Sequence, residues 1–223
     1  MMNLIRLEMR KTSLKWYFQG AIIAILLILA LIFPIQYVEQ LGLDEMFIII
    51  GSIIRATFIV FGAVLLSKLI IEEYRNKTIY LMYTYPIKRK KLIAVKLLLV
   101  GGLTFITIVL SSIFITIVFF IFSNMFEMSS DIITTQQLIT EILNMIVFAI
   151  AAGGASLIPL YFGLRKQSVA ATIISSLLVV IITNQHSPGY SSADNIYISI
   201  AFAIVGIFIA LWTIRDVDKV DVI

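Results

Sequence analysis

The chain has 223 residues, of which 61% are hydrophobic and 13% are charged, with a formal net charge of +4 at pH 7. A soluble globular domain is about half apolar and about a quarter charged, so this composition excludes an ordinary water-exposed surface and indicates a chain solvated by lipid. There is no cysteine and one histidine, His186, which excludes thiolate sites and histidine-pair zinc sites. We therefore expect no metal site.

Six apolar segments follow in chain order, each close to the roughly 20 helical residues that cross a hydrocarbon core about 30 Å thick. We predict spans over residues 17–33, 46–71, 94–122, 138–161, 168–183 and 196–214. The chain is thus predicted to be an all-α polytopic membrane protein, with residues 1–223 forming one transmembrane domain. The first span ends at Pro34 without a small-residue cleavage site, so we expect it to be retained and not removed as a signal peptide.

Lysine and arginine alternate between loops along the predicted topology. The N-terminus, the second loop, the fourth loop and the C-terminal tail carry them, while the other three loops carry none. Because these residues favour the cytoplasmic side, both termini and the large basic loop between spans two and three are predicted to be cytoplasmic. The net charge then reflects topology, so anionic membrane lipid is an expected partner and nucleic acid is not.

Arg55 interrupts the second span roughly 13 Å from its outer end, where an arginine costs about 2.5 to 3.5 kcal/mol by insertion scales. Gly51, Ser52 and Gly62 share its helix face, which predicts that this face points into the bundle. Glu141, near the outer end of the fourth span, is the predicted counter-ion. Two interpretations stay open, a structural ion pair and a role in a substrate pathway.

Two further features are interpreted as packing features and not as binding sites. Thr104, Thr107 and Ser111 share one face of the third span, where hydroxyls more often donate to carbonyls of their own helix than line a polar path. In the fourth span, residues 151–156 are small, which permits close helix contact. Pro159 is predicted to kink that span near its inner end.

Catalytic patterns are missing from the sequence. No Walker-type run, Gly-x-x-x-x-Gly-Lys-Ser/Thr, occurs, so the chain is not expected to hydrolyse ATP by itself. The Glu72-Glu73 pair lacks the arginine spacing and the distant histidines of membrane-embedded CAAX-type proteases. We expect no catalytic residue and no cofactor bound by this chain.

The most informative segment joins the second and third spans. An apolar, aromatic stretch at residues 79–85 lies between charged ends and stops at Pro86. In helical form Leu81 and Tyr85 lie one turn apart, with Met82 beside them. A hydrophobic segment of this kind on a cytoplasmic loop is expected to lie in the membrane interface or to dock on a protein.

This segment resembles the first cytoplasmic loop of permease subunits of type-2 ATP-binding cassette (ABC-2) exporters. In that family an acidic residue ends the second span, a short cytoplasmic coupling helix follows, and a proline-containing turn and a lysine open the third. The matching positions are Glu73, Thr78, Pro86, Ile87, Arg89 and Lys96. Lys77 and Lys88 replace the usual Gly and Ser. The basic N-terminus is similar to the family's N-terminal interfacial helix.

The resemblance implies an exporter of a hydrophobic or amphipathic substrate, such as an antimicrobial peptide or antibiotic, in the cell membrane of a Gram-positive bacterium. The implied partners are a separate ATPase, homodimeric or heterodimeric, that binds ATP and Mg²⁺, and a second permease chain, identical or paralogous. The residues implied to couple to the ATPase are Glu73, Thr78, Ile79, Leu81, Met82, Tyr85, Pro86 and Arg89.

Other functions remain open at this point. Arg55 favours a stand-alone secondary transporter or channel, although the sequence shows no internal repeat. A membrane enzyme is disfavoured by the missing catalytic pairs, and a non-catalytic membrane immunity or scaffold protein is a further alternative. Residues 184–195 are too short and polar for the re-entrant helices that many ABC-2 exporters carry between spans five and six. Substrates are therefore not inferred from the polysaccharide and large-lipid exporters of that family.

Overall fold

The computed structural model describes residues 15–39, 42–76, 89–125, 135–184 and 192–216, and every regular element within these ranges is helical. Helix α1 is Lys15–Glu39. Helix α2 is one continuous rod made of Leu43–Leu66, a π-helical turn at Ser67–Ile71 and a last α-turn at Glu72–Arg75. The others are α3 (Arg89–Met125), α4 (Thr135–Ala155), α5 (Pro159–Lys166), α6 (Val169–Thr183) and α7 (Ser192–Asp216).

These helices match the predicted spans in order. Five segments are long and apolar enough to cross a membrane: Lys15–Glu39, Glu45–Arg75, Lys90–Phe122, Ile142–Lys166 and Tyr197–Arg215. The remaining span corresponds to α6, an apolar helix of only 15 residues, in agreement with the shortest predicted segment. The prediction of an all-α, multi-pass membrane protein is confirmed.

Helix α1 extends beyond the predicted end of the first span, through Pro34 to Glu39. Proline removes one backbone donor and crowds the preceding turn, which commonly ends or kinks a helix. Membrane helices tolerate it where neighbouring helices hold the segment. Here Ile32 and Gln36 are buried on either side of the proline, and the Phe33 ring lies 4.8 Å from that of Phe122 in α3, centroid to centroid.

The fourth span is broken near its inner end, where the sequence predicted a kink. α4 stops at Ala155, residues 156–158 form hydrogen-bonded turns, and α5 starts at Pro159. A proline at the first helical position sacrifices no intrahelical hydrogen bond. α5 ends at Lys166 and is followed by Gln167, whose φ of 44° lies in the left-handed region typical of helix ends. The chain then turns back into α6.

The segment formed by α4 and α5 is the centre of the bundle. Of its most apolar stretch, 61% is buried inside the protein, against 39% or less for the other four long spans. Small residues allow this. A Cβ added to Gly154 would lie 2.9 Å from the Ala203 Cα in α7, and one added to Gly153 would lie 3.2 Å from the Gly101 carbonyl in α3. Backbone therefore packs on backbone, as the run of small residues predicted.

Two apolar clusters fill the remaining space. The larger one includes Ile50, Phe58 and Phe119 and joins α1 to α4, while the other lies towards the cytoplasmic ends and includes Leu69 and Leu160. Many leucines and isoleucines on the outside of the bundle are more than half exposed. An apolar outer surface of this kind is what a lipid environment favours, because lipid tails are as apolar as leucine.

Candidate functional site

The ends of α2 and α3 flank the basic loop, whose residues 77–88 lie outside the described part of the chain. Glu73 lies in the last turn of α2, and Lys96 lies about two turns into α3. The Lys96 ammonium forms an ion pair with Glu73 and donates a hydrogen bond to the Leu69 carbonyl oxygen at 2.9 Å. The two charged side chains are only 2% and 13% exposed, so water screens their attraction weakly.

The π-helical turn supplies the carbonyl that Lys96 uses. In this turn a backbone N–H reaches five residues back, as from Glu72 to the Ser67 carbonyl. The widened turn changes the direction of the residues that follow it, including the turn that carries Glu73. Leu69, Ile70 and Ile71 are buried, so the turn packs inside the bundle and does not face lipid.

The same end of the bundle is tied to α1. The Lys68 ammonium lies 3.8 Å above the ring centroid of Trp16, which is a cation–π contact between α2 and α1. The buried Tyr17 hydroxyl is 3.1 Å from the Thr107 hydroxyl of α3. Helices α1, α2 and α3 are therefore joined by polar contacts.

The predicted coupling residues divide into two groups. Glu73 is described and is paired with Lys96, which the sequence pattern also placed in the motif. Arg89 begins α3, and its side chain lies outside the described part. The others also lie outside it, and their roles stay predictions: Thr78, Ile79, Leu81, Met82, Tyr85 and Pro86.

Arg55 lies on the face of α2 that contacts α4. Its guanidinium donates to the Ser52 hydroxyl at 3.1 Å, and the guanidinium carbon lies 4.1 Å from the centroid of the Phe148 ring. Gly51 leaves room for this arrangement, since a Cβ there would lie 3.2 Å from Nη1 of Arg55. The side chain thus folds back along its own helix towards the outer end, the direction in which helical side chains point.

Glu141, the predicted counter-ion, belongs to α4, but its side chain lies outside the described part of the structure. Helix geometry places it two turns from Phe148 on the same face, roughly 10 Å further along the axis. At the level of the guanidinium, the described partners of Arg55 are a hydroxyl and an aromatic ring. Whether Arg55 and Glu141 pair stays a prediction.

The hydroxyl groups of Thr104, Thr107 and Ser111 in α3 are buried and donate to carbonyls of their own helix. Thr107 donates to the Leu103 carbonyl at 2.8 Å, and Ser111 donates to the Thr107 carbonyl at 2.6 Å. Thr104 also lies 3.3 Å from the Ser156 hydroxyl of the fourth span. These side chains therefore act in helix packing, as predicted. Within the described residues, no group of three or more metal-binding side chains occurs.

Sequence reasoning missed two partners. The pairing of Lys96 with Glu73 had a visible signal, because a lysine between Val95 and Leu97 is a charge inside an apolar run. No sequence signal pointed to Phe148, which is one of 15 phenylalanines. Only the approach of α4 to α2 brings its ring into contact with Arg55.

Comparison with known proteins gives one family and one relative. Residues 4–184 match the family model described as "ABC-2 family transporter protein". Over its whole length the chain is also similar to the "Uncharacterized protein YcbO" of Bacillus subtilis (strain 168), with 46% identity over 227 residues that cover 99% of this chain and 100% of the relative. No solved structure gives a significant match.

Proposed function

The chain belongs to the ABC-2 family of transporter membrane proteins, and from this premise we propose that it is the permease subunit of an ATP-driven exporter. Membrane proteins of this family work with ATPase partners, and this chain has no Walker-type phosphate loop. ATP and Mg²⁺ would then bind to the partner chain. This chain would supply the path across the membrane.

The observation that carries the proposal is the ion pair between Glu73 and Lys96. It joins the helix that enters the basic loop to the helix that leaves it, and the Leu69 carbonyl adds a second bond to the same ammonium group. A protein that moves the loop would therefore move α2 and α3 together. Such a connection suits a chain whose transport is driven from outside the membrane.

The proposed contact with the ATPase is the apolar stretch at residues 79–85. Leu81, Met82 and Tyr85 would seat in a groove on the ATPase, with Pro86 ending the segment. Closure of the ATPase around nucleotide would then pull on the loop and tilt α2 and α3. The support for this contact is an apolar segment flanked by charge on the predicted cytoplasmic side.

A pull-down from mild detergent tests this contact. Leu81→Asp or Tyr85→Asp should lower the yield of co-purified ATPase by about tenfold or more, the loss expected when a buried interface side chain becomes charged. Tyr37→Asp is the matched control, because Tyr37 is 75% exposed near the opposite end of α1. Equal yields from all variants, with intact transport, would refute the coupling role.

For the substrate, we propose a hydrophobic or amphipathic compound, with antimicrobial peptides and antibiotics as the first classes to test in a Gram-positive host. The bacterial relative supports the host, and the apolar bundle supports the substrate class. The permease would act as a dimer of identical or paralogous chains. Mass measurement of the complex in detergent, with its subunits identified, would test both the stoichiometry and the ATPase partner.

A second candidate function is a stand-alone secondary transporter or channel, and the observation that favours it is Arg55, a cation within the second span. The two functions differ in their energy source. Transport that persists in membrane vesicles without ATP and without an ATPase partner would support this candidate and contradict the proposed one.

A further inference from the structure

The described part of the bundle holds two inward-facing cations, and their surroundings differ. Lys96 is matched by the Glu73 carboxylate and by the Leu69 carbonyl. Arg55 has no ion pair among the described side chains, and its described contacts are the Ser52 hydroxyl and the face of Phe148. Cations within membrane spans are normally neutralised by a partner, because an unpaired charge in a low-dielectric medium is costly.

The described residues also satisfy only some of the hydrogen-bond donors of Arg55. A guanidinium has five N–H groups in a planar fork. One of them reaches the Ser52 hydroxyl, while Nε is buried and has no acceptor among the described residues. The Ser52 hydroxyl uses its own proton on the Ile48 carbonyl, at 2.8 Å, so it offers Arg55 a lone pair. The guanidinium carbon lies over the Phe148 ring, 4.1 Å from its centroid, and an aromatic ring supplies no anion.

We propose that Arg55 binds an anionic group, a carboxylate or a phosphate, carried by the transported amphiphile. The inference rests on the proposed transport function and narrows its substrate class. A carboxylate or phosphate fits the edge of a guanidinium through two parallel hydrogen bonds. The contact with Phe148 is a cation–π contact, which uses the positive charge of the group and takes up no carboxylate or phosphate site.

The position of Arg55 suits an amphiphile. The residue lies within the second span and not in a solvated loop, so the ligand would bring its charged group to the guanidinium while its apolar part lies among membrane-embedded side chains. A cationic headgroup would meet like charge there, which opposes binding. The site therefore predicts selection by the sign of the headgroup.

Photo-crosslinking of the full chain in phosphatidylcholine nanodiscs tests the proposal. The probes are photoactivatable twelve-carbon amphiphiles with one chain and four headgroups: carboxylate, phosphate, an uncharged diol and trimethylammonium. Arg55→Gln should lower labelling by the two anionic probes about tenfold or more, the usual worth of a charge-assisted hydrogen bond, and leave the other two unchanged. An equal change for all four probes, or no change, would overturn the proposal.

If Arg55→Gln folds poorly, a second variant, Arg55→Lys, and peptide mapping of the wild-type adducts test the same proposal. The lysine variant keeps the charge but loses the planar fork, so it should retain the preference for anionic probes with reduced labelling. In the wild-type protein, adducts of the anionic probes should map to α2 and α4 near Arg55 and Phe148. Adducts elsewhere, or a lysine variant without anion preference, would overturn the proposal.

Glu141 supplies the competing explanation. If its carboxylate is the missing anion, Arg55→Gln and Glu141→Gln should have non-additive effects on thermal stability and none on labelling. That result would overturn ligand binding in favour of a structural ion pair. The expected result is additive stability effects, with anionic labelling lost only when Arg55 is replaced.

The source of the anion is resolved by the lipid of the nanodisc. If bulk phosphatidylglycerol competes with the anionic probes, the group is a lipid headgroup; if labelling persists, it is a transported solute. Both results support anion binding at Arg55, but only persistent labelling supports a transported amphiphile as the source of the anion. Competition by phosphatidylglycerol would overturn that part of the proposal. The ATPase is not needed for this assay, so anion-selective labelling without a co-purified ATPase would leave this inference standing while contradicting the proposed exporter.

Discussion

Glu73 and Lys96 form an ion pair across 23 positions of the chain, at the two ends of the cytoplasmic loop. Replacing one residue of the pair should destabilise the protein, because the charge of the other residue stays buried. Lys96→Met should lower the free energy of unfolding by about 3 kcal/mol or more. Thermal unfolding in detergent would measure the change.

Lys91→Met is the control for that variant, because Lys91 is an exposed lysine on the same helix. The double variant Glu73→Gln with Lys96→Met should cost less than the sum of the single changes, since it removes both charges. Equal melting temperatures for Lys96→Met and Lys91→Met would contradict the prediction.

The close approach of α4 and α7 depends on Gly154. Gly154→Ala should destabilise the protein by about 1 to 3 kcal/mol, because the new methyl group would lie 2.9 Å from the Ala203 backbone, which cannot rotate away. Gly102→Ala is the matched control, since no atom lies within 4 Å of a Cβ there. Unfolding curves that do not distinguish the two variants would show that the helices are further apart.

The hydrogen bond between Tyr17 and Thr107 links α1 to α3. Tyr17→Phe should cost about 0.6 kcal/mol, a typical value for interhelical hydrogen bonds in membranes, since Thr107 keeps its bond to the Leu103 carbonyl. Equilibrium unfolding in mixed micelles would measure it. Tyr37→Phe, at a 75% exposed tyrosine, should change nothing, and a similar loss there would argue against a specific role for Tyr17.

The predicted orientation can be tested with single cysteines, because the sequence contains none. Val38→Cys should react with a membrane-impermeant maleimide in intact cells, since Val38 is 77% exposed at the predicted outer end of α1. Lys91→Cys should react only after permeabilisation. Ile28→Cys, at a residue 3% exposed, serves as the unreactive control. The opposite labelling pattern would invert the topology.

Helix boundaries show where prediction from sequence is limited. The apolar run predicted the first span, and the structure shows that its helix continues beyond Pro34 to Glu39, where Ile32 and Gln36 are buried on either side of the proline. Pro159 was read correctly as a disruption, and the structure places it at the start of a new helix. The same residue type has opposite outcomes because the neighbouring helices differ.

The candidate sites show the same limit. Arg55 was identifiable because a charge within an apolar span is expensive wherever the helix packs. The sequence did not reveal its contact with Phe148 or the π-helical turn beside Lys96, because both depend on how α2 packs against its neighbours. The coupling residues between Thr78 and Pro86 rest on the motif alone.

The sequence by itself determined the class of protein, the number and order of the spans and their predicted orientation, because hydropathy and charge bias act on each segment separately. Tertiary structure alone decided which charges are paired. Among the described residues, Lys96 has a carboxylate and a carbonyl within reach, whereas Arg55 has a hydroxyl and a ring. That difference arises from distances between helices, which local sequence does not encode.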